Sequence, residues 1–280
     1  MRARHRLESD YKPVLAVRHE RSIQIGGMPI LVRTDSSEFA GMLEDRYRGF
    51  IGSLDVEPLF ELDVEIGQPA GIDAEAEVSV RLEAGRWLLE RGDFRAEWNP
   101  ERRQGWVRQT ANPYAIDSVL RILHSLILAR RGGFLMHAAS AVRGGKAFLF
   151  AGTSGAGKTT ISRLAPPDAL LLTDEISYVR PDGGGYSAFG TPFAGELART
   201  GENVKAPVET LFLLAKGEAN RIEPVRGTEA ARAVLQNILF FAHDAELVGM
   251  VFDSATRFAR QAPVKRLTFA PDTRVWELIG

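Results

Sequence analysis

A glycine-rich loop is the stretch of this sequence whose spacing most nearly dictates a chemistry. Residues 152–159 read Gly-Thr-Ser-Gly-Ala-Gly-Lys-Thr, which fits the pattern G-x-x-x-x-G-K-[ST]. In that pattern the glycines let the backbone turn tightly and direct several N–H groups toward a chain of phosphates. Lys158 would reach the β- and γ-phosphates, and the hydroxyl of Thr159 would ligate Mg²⁺. The spacing therefore predicts a site for ATP and Mg²⁺.

The sequence on both sides of this loop has the order that such a site needs. The apolar run 147–151 is typical of a buried strand, and residues 160–165 can form a short helix whose N-terminal end faces the phosphates. A glycine-rich turn that fits by accident is the alternative, and both flanks disfavour it. We expect the nucleotide to contact nine consecutive residues: Gly152, Thr153, Ser154, Gly155, Ala156, Gly157, Lys158, Thr159 and Thr160.

Two adjacent carboxylates follow the next apolar run of the chain. Asp174 and Glu175 come directly after residues 170–173, which we expect to form a strand next to the strand that precedes the loop. Because ligands bind at the carboxyl ends of parallel strands, both acids are predicted to lie near the γ-phosphate. One can hold Mg²⁺ and one can accept a proton from an attacking hydroxyl. The alternative is an ordinary strand end with solvated acids.

Two further polar residues are candidates for the same site. His137 lies in a buried run before the Gly144-Gly145 hairpin, where it could contact the phosphates, orient a carboxylate, or equally be a core histidine with satisfied hydrogen bonds. Glu196 ends the segment 190–196, a loop between two strands, and could contribute to the metal site or to the acceptor site. That segment alone is a weak signal, because Gly-Thr-Pro is a common composition of turns.

Hydrophobic periodicity divides the chain into two parts that would position these residues. Alternating runs up to Gln109 predict a mostly antiparallel sheet with one early helix capped by Asp35, and residues 114–131 predict a long helix. We expect an α/β protein, α+β overall, with a mainly β accessory domain at 1–112 and a nucleotide-binding domain at 113–280. The later elements are predicted as a helix from Thr228 to about Phe241, a helix at 244–260, a strand at 264–269 and a helical tail at 272–279.

Bulk composition excludes several classes of function. The formal net charge of −1 and the lack of an aromatic-interleaved basic stripe give no support for binding to nucleic acid or to anionic membranes. The absence of cysteine excludes disulfides, thiolate nucleophiles and Cys-ligated metals. No stretch approaches 18 apolar residues, and no apolar segment follows the N-terminal Met-Arg-Ala-Arg-His-Arg, so we expect a cytoplasmic protein without a secretory signal.

Together these residues resemble the catalytic domain of HPr kinase/phosphorylase and of its relatives encoded beside ribosomal-peptide and lasso-peptide biosynthesis genes. The resemblance rests on Met136-His137-Ala138-Ala139, Gly152 to Thr159, Leu172-Thr173-Asp174-Glu175 and Gly190 to Glu196. It implies a phosphate-loop core related to phosphoenolpyruvate carboxykinase. It also implies transfer of the ATP γ-phosphate to a serine of a small protein or peptide, and self-association into a homo-oligomer.

The resemblance also assigns roles to single residues. Asp174 would be the base toward the acceptor hydroxyl, and Thr159, Glu175 and Glu196 would support the metal, while Lys158 and His137 complete the catalytic set. Three positions differ from the well-studied bacterial enzymes, which have Asp at the position of Thr153, Asp at that of Glu175 and Ser at that of Thr159. These differences, and an N-terminal half like that of the peptide-cluster relatives, argue against HPr as the acceptor and against a reverse phosphorylase activity.

Other functions stay open at the level of sequence. A nucleotide-operated switch or ATPase would use water as the acceptor, although a guanine-specific switch is disfavoured because no Lys-x-Asp tripeptide occurs. A kinase of small-molecule hydroxyls would differ only in its acceptor pocket. A binding module without chemistry is disfavoured by the intact Lys158, Thr159, Asp174 and Glu175.

Overall fold

The computed structural model describes residues 18–70, 73 and 77–279. Within these residues the chain is a mixed α/β protein with many strands, few helices and two sheets. The N-terminal segment Met-Arg-Ala-Arg-His-Arg, on which the expectation of no secretory signal depends, lies outside the described residues. No helix in the described ranges combines the length and the apolar character needed to cross a membrane.

Alternation of buried and partly exposed side chains builds the first sheet, as the periodicity predicts. Its strands are β1 (His19–Ile25), β2 (Met28–Thr34), β3 (Phe60–Ile66), β4 (Ser79–Glu83), β5 (Arg86–Arg91), β6 (Phe94–Asn99) and β7 (Gln104–Gln109). They lie in the order β1-β2-β3-β7-β6-β5-β4. The pairs β2/β3 and β3/β7 are parallel and the other pairs are antiparallel, so the sheet is mixed.

The second sheet carries the residues that the sequence analysis selected. Its strands are β8 (Phe134–Arg143), β9 (Lys146–Ala151), β10 (Leu170–Thr173), β11 (Ile176–Asp182), β12 (Gly185–Phe189), β13 (Lys205–Lys216), β14 (Arg221–Val225), β15 (Ile238–Leu239) and β16 (Val264–Phe269). The prediction that β10 lies next to β9 is wrong, because β9 has β8 on one side and β13 on the other. The tight turn Gly144-Gly145 forces β8 and β9 into a hairpin, and β10 pairs with the other edge of β8.

The helices are α1 (Ser37–Arg46), α2 (Pro113–Arg130), α3 (Lys158–Arg163), α4 (Gly227–Asn237), α5 (Ala245–Gln261) and α6 (Val275–Ile279). Two predicted caps are wrong. Ser36 rather than Asp35 caps α1, since its hydroxyl accepts from the N–H of Phe39. Helix α4 starts without a side-chain cap from Thr228 and ends before Ile238, which pairs with β8 instead of extending the helix to Phe241.

One apolar core joins the first sheet, α2 and the second sheet. Trp87 of β5, Leu120 of α2 and Tyr178 of β11 are all fully or almost fully buried in this cluster. The β1–β2 turn lies against the same tyrosine, since a Cβ at Gly26 would come within 2.4 Å of the Tyr178 ring. Helix α2 is therefore fixed between the two sheets, with thirteen of its 18 residues buried. The boundary at residues 112/113 stays a prediction.

Candidate functional site

Strand β8 brings the glycine loop, Gly152 to Thr159, next to the acidic pair. On one side of β8, Ala138 pairs with Ala151, the last residue of β9 before the loop. On the other side, His137 pairs with Ile176, the residue that directly follows Asp174 and Glu175. Neighbouring strands lie about 4.8 Å apart, so the loop and the acids start from backbone positions about 10 Å apart. A single intervening strand thus fixes the width of the site.

The glycine loop adopts a backbone conformation that favours glycine at two of its positions. Gly155 has a φ of +76° and Gly157 a φ of +114°, both in the left-handed region. A Cβ at Gly157 would also lie 2.7 Å from the ring of Phe269, and one at Gly152 would lie 2.7 Å from the Cβ of Ala156. The chain then enters α3 directly at Lys158. Strand β9, the loop and the short helix α3 follow one another in the order that the sequence predicts.

The ammonium group of Lys158 is held by the backbone of the glycine loop. Its Nζ donates to the carbonyl oxygen of Gly152 at 2.9 Å and to that of Thr153 at 3.4 Å. Burial lowers the pKa of Lys158, and the negative charges of Glu175 and Glu196 oppose that shift. These two acids, distant in sequence, are therefore brought within electrostatic reach of the same ammonium group.

His137 lies on β8 beside this ammonium group and is partly buried. Burial lowers the pKa of its imidazole, and the positive charge of Lys158 lowers it further. The neutral imidazole is therefore favoured at neutral pH. A neutral imidazole keeps one N–H, which can donate to a phosphate or a carboxylate oxygen, so it fits either of the two functional roles that the sequence left open for His137.

Asp174 fastens the loop 190–196 to the end of β10. Its side chain is 4% exposed, its Oδ1 accepts from the N–H of Gly195 at 2.8 Å, and its Oδ2 accepts from the N–H of Leu197 at 2.8 Å. A Cβ at Gly195 would lie 2.9 Å from Oδ2 of Asp174 and 2.8 Å from the Cβ of Glu175. Glycine at this position is what lets the loop approach both acids.

Of the three predicted metal ligands, two are in direct contact. The hydroxyl of Thr159 donates to Oε2 of Glu196 at 2.8 Å, while Glu175 pairs with Arg121 at 3.6 Å. A hydroxyl and a carboxylate are oxygen ligands of the type that Mg²⁺ binds together with water and phosphate oxygens, so these residues fit that ion. In the described ranges of the chain, no three His, Asp or Glu side chains form a cluster that could hold a metal without such additional ligands.

Glu175 and Arg121 form a pair that the motifs do not contain. Burial raises the pKa of the Glu175 carboxyl, the Arg121 guanidinium opposes this shift, and the charge of Asp174 reinforces it. Arg121 lies on α2, which the sequence analysis interpreted only as a buried helix. The only available signal was a charged residue placed four positions after Asp117 in an otherwise apolar stretch, and that spacing does not reveal a partner in another element.

Comparison with known proteins gives similar solved structures and one matching family. The solved HPr(Ser) kinase/phosphatase from Coxiella burnetii is 15% identical, with 42% of this chain and 87% of that chain covered and a TM-score of 0.23. No curated protein matches the sequence. The family described as SynChlorMet cassette protein ScmC matches residues 109–280, from the end of β7 through α2, the glycine loop and the acids to residue 280. Because this match extends over more than half of the sequence, the chain belongs to the family of the SynChlorMet cassette protein ScmC.

Proposed function

We propose that the protein is an ATP-dependent phosphotransferase that transfers the γ-phosphate of ATP to a serine hydroxyl of a small protein or peptide, on a phosphate-loop core like that of HPr kinase. The observation that carries the proposal is the convergence on the glycine loop of acids from two other segments. Burial lowers the pKa of Lys158, and the negative charges of Glu175 and Glu196 act to raise it. The hydroxyl of Thr159 donates a hydrogen bond to Glu196. A loop that served only as a structural turn would need none of these acids.

The glycine loop and Lys158 bind the phosphates in this proposal. The ammonium of Lys158 is held by two neutral carbonyl oxygens, those of Gly152 and Thr153. Phosphate oxygens are stronger acceptors for an ammonium group, so a triphosphate would replace these carbonyls. The lysine then neutralises charge on the phosphates, and the loop amides orient them.

Thr159, Glu175 and Glu196 would hold Mg²⁺, which when bound neutralises negative charge on the phosphate oxygens. In the protein itself, Glu196 orients the hydroxyl of Thr159 through their hydrogen bond. Arg121 balances the charge of Glu175 on the side of α2. Each of the two carboxylates is thus held by a contact from another element of the chain, α3 for Glu196 and α2 for Glu175.

Asp174 would receive the proton of the acceptor hydroxyl. The serine oxygen bonds to the γ-phosphorus as the bond from that phosphorus to the bridging oxygen breaks, ADP leaves, and the hydroxyl proton passes to Asp174. The N–H groups of Gly195 and Leu197 fix the direction of this carboxylate, and each of its oxygens keeps a second lone pair. A fixed orientation favours the positioning of the nucleophile, which dominates catalysis in phosphoryl transfer.

The test is incubation with γ-labelled ATP, Mg²⁺ and short serine-containing peptides encoded beside the gene, with Ser→Ala versions of the same peptides. We expect label in the serine peptide only, and loss of label with Lys158→Ala. Lys146→Ala is the matched control, because Lys146 lies at the other end of β9 and pairs with Glu209 at 3.1 Å. Free labelled phosphate without labelled peptide would instead identify an ATPase, and label on a small alcohol would identify a small-molecule kinase.

A further inference from the structure

Arg121 makes two contacts that connect separate parts of the site. Its guanidinium lies 3.6 Å from Oε2 of Glu175, and it stacks over the ring of Phe193 with its Cζ 4.9 Å from the ring centre. Phe193 is 1% exposed and lies in the loop 190–196, two residues before Gly195. One side chain of α2 therefore contacts both the acidic pair and the loop that Asp174 fastens.

The surroundings of Arg121 explain why its charge is directed at Glu175. Asp117, one turn earlier on α2, is the partner that helix spacing would give to Arg121. Both carboxylate oxygens of Asp117 are instead bonded by Arg46, and the hydroxyl of Tyr47 also donates to it. The Nε of Arg121 is buried and has no hydrogen-bond partner among the described residues. The guanidinium therefore interacts with Glu175 and with the face of the Phe193 ring.

We propose that Arg121 is the positioning residue of this site, which joins Glu175 to Phe193 and so holds the loop 190–196 where Glu196 meets Thr159. The relevance of this role to catalysis rests on the proposed function. A half-buried ion pair and a cation–π contact act on the same group, so the loss of the guanidinium removes both restraints on the loop. Arg121 itself needs no contact with substrate for this role.

The experiment measures hydrogen exchange at the amides of Gly195 and Leu197, which donate to Asp174, in the protein without nucleotide. Arg121→Met keeps the length and the apolar contact but removes the charge, and Arg121→Lys keeps the charge but loses the planar stack. We expect exchange at both amides to rise about tenfold in Arg121→Met, consistent with the loss of a cation–π contact and an ion pair, and to rise less in Arg121→Lys. Phe193→Leu keeps the loop apolar and should give an increase of the same kind.

Arg91→Met is the matched control. Arg91 stacks over Phe94 at the same distance of 4.9 Å and pairs with Asp93 at 2.6 Å. Its Nη1 also donates to Ser118 of α2. None of these partners belongs to the acidic pair or to the loop 190–196. Arg91→Met should leave exchange at Gly195 and Leu197 unchanged.

The two proposals can fail separately. Unchanged exchange in Arg121→Met and Phe193→Leu, or an equal increase in Arg91→Met, would overturn the positioning role whatever the activity of the protein. Accelerated exchange restricted to the Arg121 and Phe193 variants supports it even if no peptide is ever labelled. If transfer is observed, Arg121→Met should lower kcat and raise the Mg²⁺ requirement, with partial rescue in Arg121→Lys.

Discussion

The hydroxyl of Thr159 donates to Oε2 of Glu196 at 2.8 Å, although 37 residues of chain separate the two. This contact closes the site, because Thr159 belongs to the glycine loop and Glu196 to the loop fastened by Asp174. Neither loop reaches the other through a regular strand pairing. Their relative position depends on side chains, and this makes it sensitive to single substitutions.

Glu196→Gln should raise the Mg²⁺ concentration needed for half-maximal activity. The amide can still accept from Thr159, so the hydrogen bond can persist while the negative charge is lost. We expect an increase of about 10- to 100-fold, the range found when carboxylates that support a metal site are altered. The measurement is a Mg²⁺ titration of activity and of nucleotide binding.

Glu202→Gln is the control for that titration, because Glu202 is an exposed carboxylate later in the connection between β12 and β13. It should leave the titration unchanged. An unaltered Mg²⁺ requirement in Glu196→Gln would remove Glu196 from the metal site.

Gly195→Ala should displace the loop from the acids. The added methyl group would lie 2.8 Å from the Cβ of Glu175, which cannot move without the backbone. A misplacement of this order can reduce activity about 100-fold, while overpacking lowers the free energy of unfolding by about 1–3 kcal/mol. Turnover and chemical denaturation measure the two effects.

Gly185→Ala is the matched glycine substitution, since a Cβ there meets nothing within 4 Å. It should be neutral in both assays. Full activity of Gly195→Ala would mean that the close approach of the loop is not required.

Asp174→Asn and Glu175→Gln each remove one negative charge, but only Asp174→Asn alters the hydrogen bonds that hold the loop 190–196. In Asp174→Asn one of the two N–H donors, from Gly195 or Leu197, faces an amide NH₂ and loses its acceptor, which costs about 1–3 kcal/mol of local stability. Glu175→Gln leaves both of these bonds intact. We therefore expect the larger increase in exchange at these amides in Asp174→Asn, and a smaller increase in Glu175→Gln, which loses only the ion pair with Arg121. Turnover is measured beside exchange.

Transfer should fall by about 100-fold or more in Asp174→Asn, the usual effect of removing a general base. Full turnover of this variant at saturating ATP would show that Asp174 is not the base.

His124→Phe should remove a source of acid instability. His124 is fully buried between the rings of Phe60 and Tyr178, neither ring nitrogen has a partner among the described residues, and burial lowers its pKa to about 3. In the unfolded chain the imidazole titrates near pH 6.5. Above that pH the imidazole is neutral in both states, so His124 gives stability no dependence on pH there. Below it, the free energy of unfolding falls by about 1.4 kcal/mol per pH unit down to the folded-state pKa.

Chemical denaturation at pH 8 and pH 5 tests this prediction. His124→Phe should be more stable at pH 8 by about 1–3 kcal/mol, because it removes unsatisfied polar atoms, and the gain should be larger at pH 5. His243→Gln is the control, since His243 is exposed. Equal pH dependence in wild type and His124→Phe would exclude His124 as the cause.

Local patterns in the sequence predict much of the site. The motif requires glycine at position 157, and the structure has Gly157 at a φ of +114°. Alternation predicts the strands of the first sheet, and the apolar runs predict β8 and β9 because burial on both faces demands continuous apolar residues. The apolar run 170–173 also predicts β10, although Leu170 is exposed. These features depend on neighbours in the chain, so the chain alone specifies them.

The partners across the site depend on tertiary structure. Periodicity states which face of α2 is buried but not that Arg121 meets Glu175 and Phe193, since those contacts require the helix to be packed between two sheets. Likewise, the sequence of an apolar strand does not specify which strand lies beside it. Strand β10 pairs with β8 because β13 occupies the edge of β9 that β8 leaves open. Sequence determined the chemical groups and their local geometry, whereas long-range packing decided which groups face each other.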